Sequence, residues 1–121
     1  MKQRRAIAVL VVDGDADCRE SYVAALTFAG FRCVAAAAPD DAIRLAATVH
    51  FDVIVMELGL PRLADGVALA RHLSAASDPA ILIAVSRERV PTVPLAFRIV
   101  LSKPVDPDDV VDAVRHVVEY K

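Results

Sequence analysis

Short runs of consecutive apolar residues alternate with helix-like segments along the chain. The central run, residues 53–56 (VIVM), has no polar position, which is typical of a parallel strand covered on both faces. The run ends at Glu57, and Gly59 and Pro61 then interrupt regular structure. Because open α/β sheets form their active crevices at the carboxyl ends of parallel strands, Glu57 is the first candidate functional residue.

The same patterns predict four further strands and four helices. The strands are 6–12, 31–36, 80–85 and 97–101. The helices are about 16–29, about 40–49, 66–73, and a last one that begins at Pro107 with Asp106 as its N-cap. Strand and helix alternate, which predicts an α/β fold over residues 1–121 as a single domain. We expect a doubly wound parallel sheet with helices on both faces.

Two segments do not follow simply from the alternation of strands and helices. Either Asp15 or Asp17 could cap the first helix, and Asp17 with Glu20 has the spacing of a capping box. Residues 87–96 should hold the fourth helix of such a fold, but Pro91 and Pro94 remove backbone donors there. We therefore expect this helix to be short or missing.

Composition excludes several classes of function. The 14 basic and 16 acidic residues give a net charge of −2, so no electrostatic feature favours nucleic acid as a partner. Cys18 and Cys33 cannot form a disulfide framework and are interpreted as packed thiols. The basic start and first apolar run lack a cleavage site, and no run is long enough to span a membrane. We expect a cytoplasmic domain.

Polar residues follow several of the predicted strands. Parallel strands bring their carboxyl ends to one edge of the sheet, so these residues should lie close together. They are Asp13, Asp15, Glu57, Ser86 and Lys103. Asp13 and Asp15 would form an acidic pocket beside Glu57.

At this edge the chain resembles the receiver domain of two-component response regulators, and the resemblance covers essentially its whole length. It rests on VLVVDGD, on FDVIVMELGLP with the later Asp65-Gly66 pair, on ILIAVS and on LSKP. The resemblance implies a flavodoxin-like five-stranded sheet of order 2-1-3-4-5. It also makes the Lys103–Pro104 bond a candidate cis peptide.

The resemblance further implies a phosphoryl-transfer switch. In this family an aspartate after the third strand takes a phosphoryl group from a histidine kinase, and two acids after the first strand help it to hold Mg²⁺. A Ser or Thr and a Lys bind the phosphoryl oxygens, and an aromatic side chain on the last strand changes position. Asp13, Ser86 and Lys103 match this pattern.

Three positions depart from the family pattern. Gly14 stands where the second acid is usual, Glu57 stands at the phosphoacceptor position, and Val100 replaces the aromatic switch residue. Without the acid at Gly14, Mg²⁺ loses an oxygen ligand that its octahedral geometry requires, so we expect weak binding at most. Asp13, Asp15 and Glu57 remain only weak candidate ligands.

Glu57 is expected to be a poor phosphoacceptor, because its extra carbon–carbon bond moves the carboxylate by about 1.5 Å. In-line transfer is a positioning problem in which about 1 Å can cost roughly 10²-fold in rate. The same extension allows the carboxylate to reach Lys103 or Ser86 without phosphate. The side chain would then imitate part of the phosphorylated arrangement permanently.

The sequence leaves two interpretations open. In the favoured one, the chain is an atypical response regulator receiver, a pseudo-receiver that acts in signal transduction as a phosphorylation-independent protein-interaction module and not as an enzyme. In the alternative, it is a functional Mg²⁺-dependent phosphoacceptor that a histidine kinase switches, with Asp15 helping to hold the metal rather than only capping a helix.

The partner is expected to be a protein: a histidine kinase, a phosphotransfer protein of a phosphorelay, or an output protein. Receivers of this family commonly dimerise through a face that includes their fourth helix. Because that helix is short or missing here and Val100 replaces the aromatic residue, we do not expect the standard dimer.

Overall fold

The computed structural model describes residues 6–88 and 96–119. Five parallel strands form one sheet in the order β2-β1-β3-β4-β5, which confirms the predicted architecture. The strands are β1 (Ala8–Val12), β2 (Arg32–Ala36), β3 (Val53–Glu57), β4 (Ile81–Ser86) and β5 (Phe97–Ser102). The helices in these ranges are α1 (Ala16–Phe28), α2 (Pro39–Thr48), α3 (Leu63–Ser74) and α4 (Pro107–Glu119).

The central strand β3 is buried along its whole length. Its side chains alternate between the two faces of the sheet, as the period of a strand requires. Ile54 and Met56 pack into the core on the side of α2 and α3, while Val53 and Val55 pack on the side of α1 and α4. The continuous apolar run therefore reflects a strand that supplies both cores, and Glu57 is its last, still buried, residue.

Of the two residues predicted as possible caps of helix α1, the structure selects Asp15. The side chain of Asp15 accepts hydrogen bonds from the backbone N–H groups of Asp17 and Cys18, which identifies Asp15 as the N-cap. The alternative capping box of Asp17 with Glu20 was wrong, because the helix starts one residue before Asp17. Gly30 follows the helix with a φ of 100°, a conformation that glycine adopts without strain.

Helix α3 begins earlier than the sequence predicted, at Leu63 rather than Gly66. Its first turn is fixed by Asp65, whose carboxylate accepts the backbone N–H of Arg62 at 3.1 Å. A Cβ at Gly66 would overlap the backbone of Leu58. The glycine is therefore needed for a close approach of the helix to the turn after β3, and its place within the helix explains the wrong boundary.

Helix α4 follows the prediction closely. The Asp106 side chain accepts the N–H of Asp108 at 3.0 Å, and Pro107 occupies the first helical position. Val110, Val114 and Val117 lie buried against the sheet.

Three further expectations concern the rest of the chain. Residues 89–95, which include most of the predicted short or missing helix, lie outside the described residues. Cys18 and Cys33 are free, partly buried thiols, as predicted. Across 6–88 and 96–119, no helix combines the length and the apolar character that crossing a membrane requires.

Candidate functional site

The carboxyl edge of the sheet brings four of the predicted site residues, Asp13, Asp15, Glu57 and Ser86, together around one cavity of about 260 Å³. Asp13 follows β1, Glu57 ends β3 and Ser86 ends β4, as parallel strands require. The polar side chains that line the cavity are those of Asp13, Asp15, Glu57, Ser86, Arg87 and Glu88.

A buried cluster of three charges lies at the centre of this edge. Lys103, which follows β5, places its Nζ in an ion pair with Glu57 Oε2 and 3.3 Å from Asp13 Oδ2. Only 9% of the Lys103 side chain is exposed, against 3% for Asp13 and 7% for Glu57. Among the described residues, no other hydrogen-bond donor reaches Glu57 Oε2. The lysine is therefore the counterion of both acids.

The surroundings of Lys103 determine its protonation. Burial alone would lower the pKa of the ammonium group, since desolvation disfavours the charged form. The hydrogen bond to Glu57 and the negative charges of Asp13 and Glu57 outweigh this effect and raise the pKa above its ordinary value of 10.5. Lys103 is thus held in its charged form at neutral pH.

Asp15 is committed to other contacts. Its Oδ1 caps α1, with distances of 2.9 Å to the N of Asp17 and 3.2 Å to the N of Cys18. Its Oδ2 lies 3.4 Å from Nη2 of Arg87. The backbone hydrogen bond from Cys18 is the main reason that the pKa of Asp15 is lowered, and the charges of Lys103 and Arg87 act in the same direction.

The hydroxyl of Ser86 faces the cavity but bonds locally. Ser86 Oγ donates to the carbonyl oxygen of Glu88 at 2.8 Å and accepts the Glu88 N–H at 3.2 Å. The backbone carbonyl of Ser86 accepts the N–H of Lys103 at 2.8 Å, which ties the ends of β4 and β5 together. Glu57 therefore makes its ion pair with Lys103, while Ser86 is occupied with the residues that follow it.

Two further features predicted from the sequence lie in β5 and directly after it: Val100 at the switch position and the Lys103–Pro104 bond. Val100 pairs with Ala84 of β4 and packs, partly buried, against the core on the side of α2 and α3. The Lys103–Pro104 peptide is cis, and so is the Leu60–Pro61 peptide after β3.

The residues present do not fit a resident Mg²⁺ ion. One oxygen of Asp13 and one of Glu57 share the ammonium group of Lys103, and Gly14 offers no side-chain ligand. Both oxygens of Asp15 have partners already. Within the part of the chain that the structure describes, no three His, Cys, Asp or Glu side chains are placed to hold a metal. Since Mg²⁺ requires near-octahedral oxygen ligands, this donor set is inadequate.

Two contacts escaped the sequence reasoning. Arg87, which lines the cavity, forms an ion pair with Asp15 on the other side of β3. Cys18 Sγ lies 3.8 Å from Nζ of Lys103. No local signal could have found either contact, because each joins residues that only the folded sheet brings together.

The comparisons with known proteins agree on one family. The family model for the response regulator receiver domain matches residues 9–115. Response regulator MprA of Mycolicibacterium vanbaalenii is 35% identical over 85 residues, which cover 69% of this chain and 36% of that protein. Regulatory protein VirG of Agrobacterium tumefaciens is 35% identical over 82 residues, which cover 68% of this chain and 30% of that protein. The chain thus spans about a third of the length of these relatives.

Solved structures support the same fold. A CheY-like receiver domain from Methanospirillum hungatei superposes with a TM-score of 0.87 at 18% identity and covers 96% of each chain. Chemotaxis protein CheY4 of Vibrio cholerae superposes with a TM-score of 0.83 at 22% identity over 93% of this chain and 99% of its own.

Proposed function

The chain belongs to the response regulator receiver domain family, and we propose that it acts in two-component signalling as a protein-interaction module whose state does not depend on phosphorylation. The observation that carries this proposal is the buried ion pair between Glu57 and Lys103. In the family that the chain resembles, this lysine binds an oxygen of the phosphoryl group. Here a carboxylate that is part of the chain supplies the negative charge instead.

The geometry supports a fixed state rather than a switched one. Lys103 is held by two carboxylates at once, and its side chain is largely withdrawn from solvent. A phosphoryl group on Glu57 would have to compete for that ammonium with Asp13. Phosphoryl transfer also relies on a divalent cation to neutralise the charge that develops, and each of the three acids here already has a positive side chain as a partner.

The partner that we propose is a protein, such as a histidine kinase, a phosphotransfer protein or an output protein. The face made by α1 and α4 is the surface that we favour for it. These two helices pack together on one side of the sheet.

A Mg²⁺ titration of the native chain and of a Gly14→Asp, Glu57→Asp double variant tests the proposal. A side chain at Gly14 has room, because its Cβ would lie 3.8 Å from the carbonyl oxygen of Ala37. We expect the double variant to bind Mg²⁺ at least about tenfold more tightly than the native chain, as restoring a ligand typically allows. Adding Mg²⁺ should raise the thermal unfolding temperature of the variant but not that of the native chain.

The two single variants serve as matched controls. Gly14→Asp tests the missing ligand alone, and Glu57→Asp tests the length of the side chain alone. Strong Mg²⁺ binding of equal affinity in the native chain and in the double variant would contradict the proposal, because the pocket would then be competent as it stands.

A further inference from the structure

Arg87 connects two loops on opposite sides of the site. It directly follows Ser86 at the end of β4, and its Nη2 lies 3.4 Å from Oδ2 of Asp15 in the loop between β1 and α1. The contact therefore spans the mouth of the cavity at the carboxyl edge.

Arg87 also stands between two cavities. It lines the one that contains Asp13, Asp15 and Glu57, and it lines a second one of about 370 Å³ that contains Lys103 and Cys18. The guanidinium group therefore lies beside the acids of the first cavity and beside the lysine of the second.

The acids at the centre of the site have positive side-chain partners without any ion. Lys103 pairs with Asp13 and Glu57, and Arg87 pairs with Asp15. Two unit positive charges thus face these three carboxylates, and one negative charge is left over. We propose that Arg87 is a built-in competitor of divalent cations, which it disfavours in the acidic pocket by pairing with Asp15.

This inference rests on the proposed function and deepens it, because it names what takes the place of the metal. It also separates two causes of weak metal binding. The missing acid at Gly14 removes a ligand, whereas Arg87 adds a repelling charge that remains after the ligand is restored. A guanidinium group does not lose its proton, so the repulsion is present at every working pH.

The bridge itself should contribute little to stability. The Arg87 side chain is 64% exposed and that of Asp15 is 39% exposed, and solvent-exposed ion pairs are weak. Its effect is therefore expected on the affinity of a cation rather than on folding. This difference allows Arg87 to be replaced without disturbing the sheet.

The test is a titration of MgCl₂, at constant ionic strength, into the full-length Gly14→Asp, Glu57→Asp variant with and without Arg87→Ala. We expect the added Arg87→Ala substitution to tighten Mg²⁺ binding by about fivefold, the scale of one exposed charge contact. Arg87→Lys, which keeps the charge, should change the affinity by less than about twofold.

Arg44→Ala in the same background is the matched control for net charge. Arg44 is an exposed arginine of α2 that pairs with Asp41 and does not line the cavity. Equal affinities in the Arg87→Ala and Arg44→Ala chains would overturn the inference. Absence of Mg²⁺ binding in every variant would overturn it as well, because Arg87 would then exclude nothing.

A second measurement uses the otherwise native chain and needs no restored ligand. Mn²⁺ should broaden the amide signals of residues 13–15 more strongly in the Arg87→Ala chain than in the native and Arg44→Ala chains. Equal broadening in all three would contradict the inference. Failure of the proposed function would show differently, as strong Mg²⁺ binding to the native chain with Arg87 in place.

Discussion

Both edges of the sheet bury carboxylates, and those of Asp52 and Glu57 are held in different ways. At the amino edge, Asp52 precedes β3, and its Oδ2 accepts the backbone N–H of Ala8 at 2.9 Å. The backbone of Asp52 also bonds to Ala8 and to Ile81, at 2.8 and 3.0 Å. At the carboxyl edge, Glu57 pairs with the ammonium of Lys103 instead.

The difference separates an acid that the backbone holds from one that a side chain holds. Asp52 is fixed by backbone groups of the sheet, so its position follows from strand register and it joins the start of β3 to Ala8 and Ile81. Glu57 depends on a side chain that follows β5, two strands away in the sheet. Strand register alone therefore does not fix the position of the Glu57 carboxylate.

The largest effect is expected from removing the counterion at the carboxyl edge. Lys103→Met should lower the free energy of unfolding by about 3 kcal/mol, because it leaves Asp13 and Glu57 buried without a positive partner. Urea unfolding measures the loss. Adding Glu57→Gln to this variant should recover part of the stability, since it removes one of the two stranded charges. A loss below about 1 kcal/mol would mean that the cluster behaves as an exposed ion pair.

A smaller loss is expected at the amino edge. Asp52→Ala should cost about 2 kcal/mol in urea unfolding, because the N–H of Ala8 loses its charged acceptor. Asp52→Asn keeps a carbonyl oxygen at the same place and should cost clearly less. If the two substitutions were equally damaging, the charge of Asp52, which lies 3.6 Å from Nε2 of His50, would matter more than the hydrogen bond.

The pH dependence of stability distinguishes the two edges further. Lys103 has a raised pKa in the folded chain, so its contribution is complete below the unfolded value of 10.5 and is lost as the pH rises above it. Tyr22 acts in the same direction, because burial raises its pKa to about 12 from 10.0. The native chain should therefore lose stability between about pH 10 and about pH 12.

Variants at each edge sharpen this pH prediction. Lys103→Met should show a shallower alkaline loss, and Tyr22→Phe should remove the second contribution. Asp52→Asn should keep the full alkaline loss, because it leaves Lys103 and Tyr22 unchanged. An alkaline loss that is unchanged by both Lys103→Met and Tyr22→Phe would contradict the assignment. Urea unfolding at a series of pH values gives the required slopes.

Hydrophobic patterning predicted most of the fold, because buried parallel strands leave little choice of interpretation. The run at 53–56 is apolar on both faces, and the structure buries both faces. The start of α3 was missed because glycine in a sequence usually marks the end of a helix. Gly66 instead lies inside the helix, where the nearby backbone of Leu58 leaves no room for a Cβ. That constraint lies in tertiary packing, which periodicity does not reveal.

The candidate site was predictable as a set of residues but not as a set of contacts. Strand order alone gathers Asp13, Glu57, Ser86 and Lys103 at one edge. The choice of Lys103 over Ser86 as the partner of Glu57 depends on the local bonds of Ser86 to Glu88. The bridge of Arg87 depends on the approach of two loops that are distant in sequence.

Intact mass after incubation with Mg²⁺ and acetyl phosphate tests the central claim most directly, namely that Glu57 is a built-in charge rather than a phosphoacceptor. The Gly14→Asp, Glu57→Asp variant is the positive control and should gain a phosphoryl group. The native chain is predicted to keep its mass under the same conditions. A stable phosphoryl adduct on the native chain that Glu57→Gln abolishes would contradict the account.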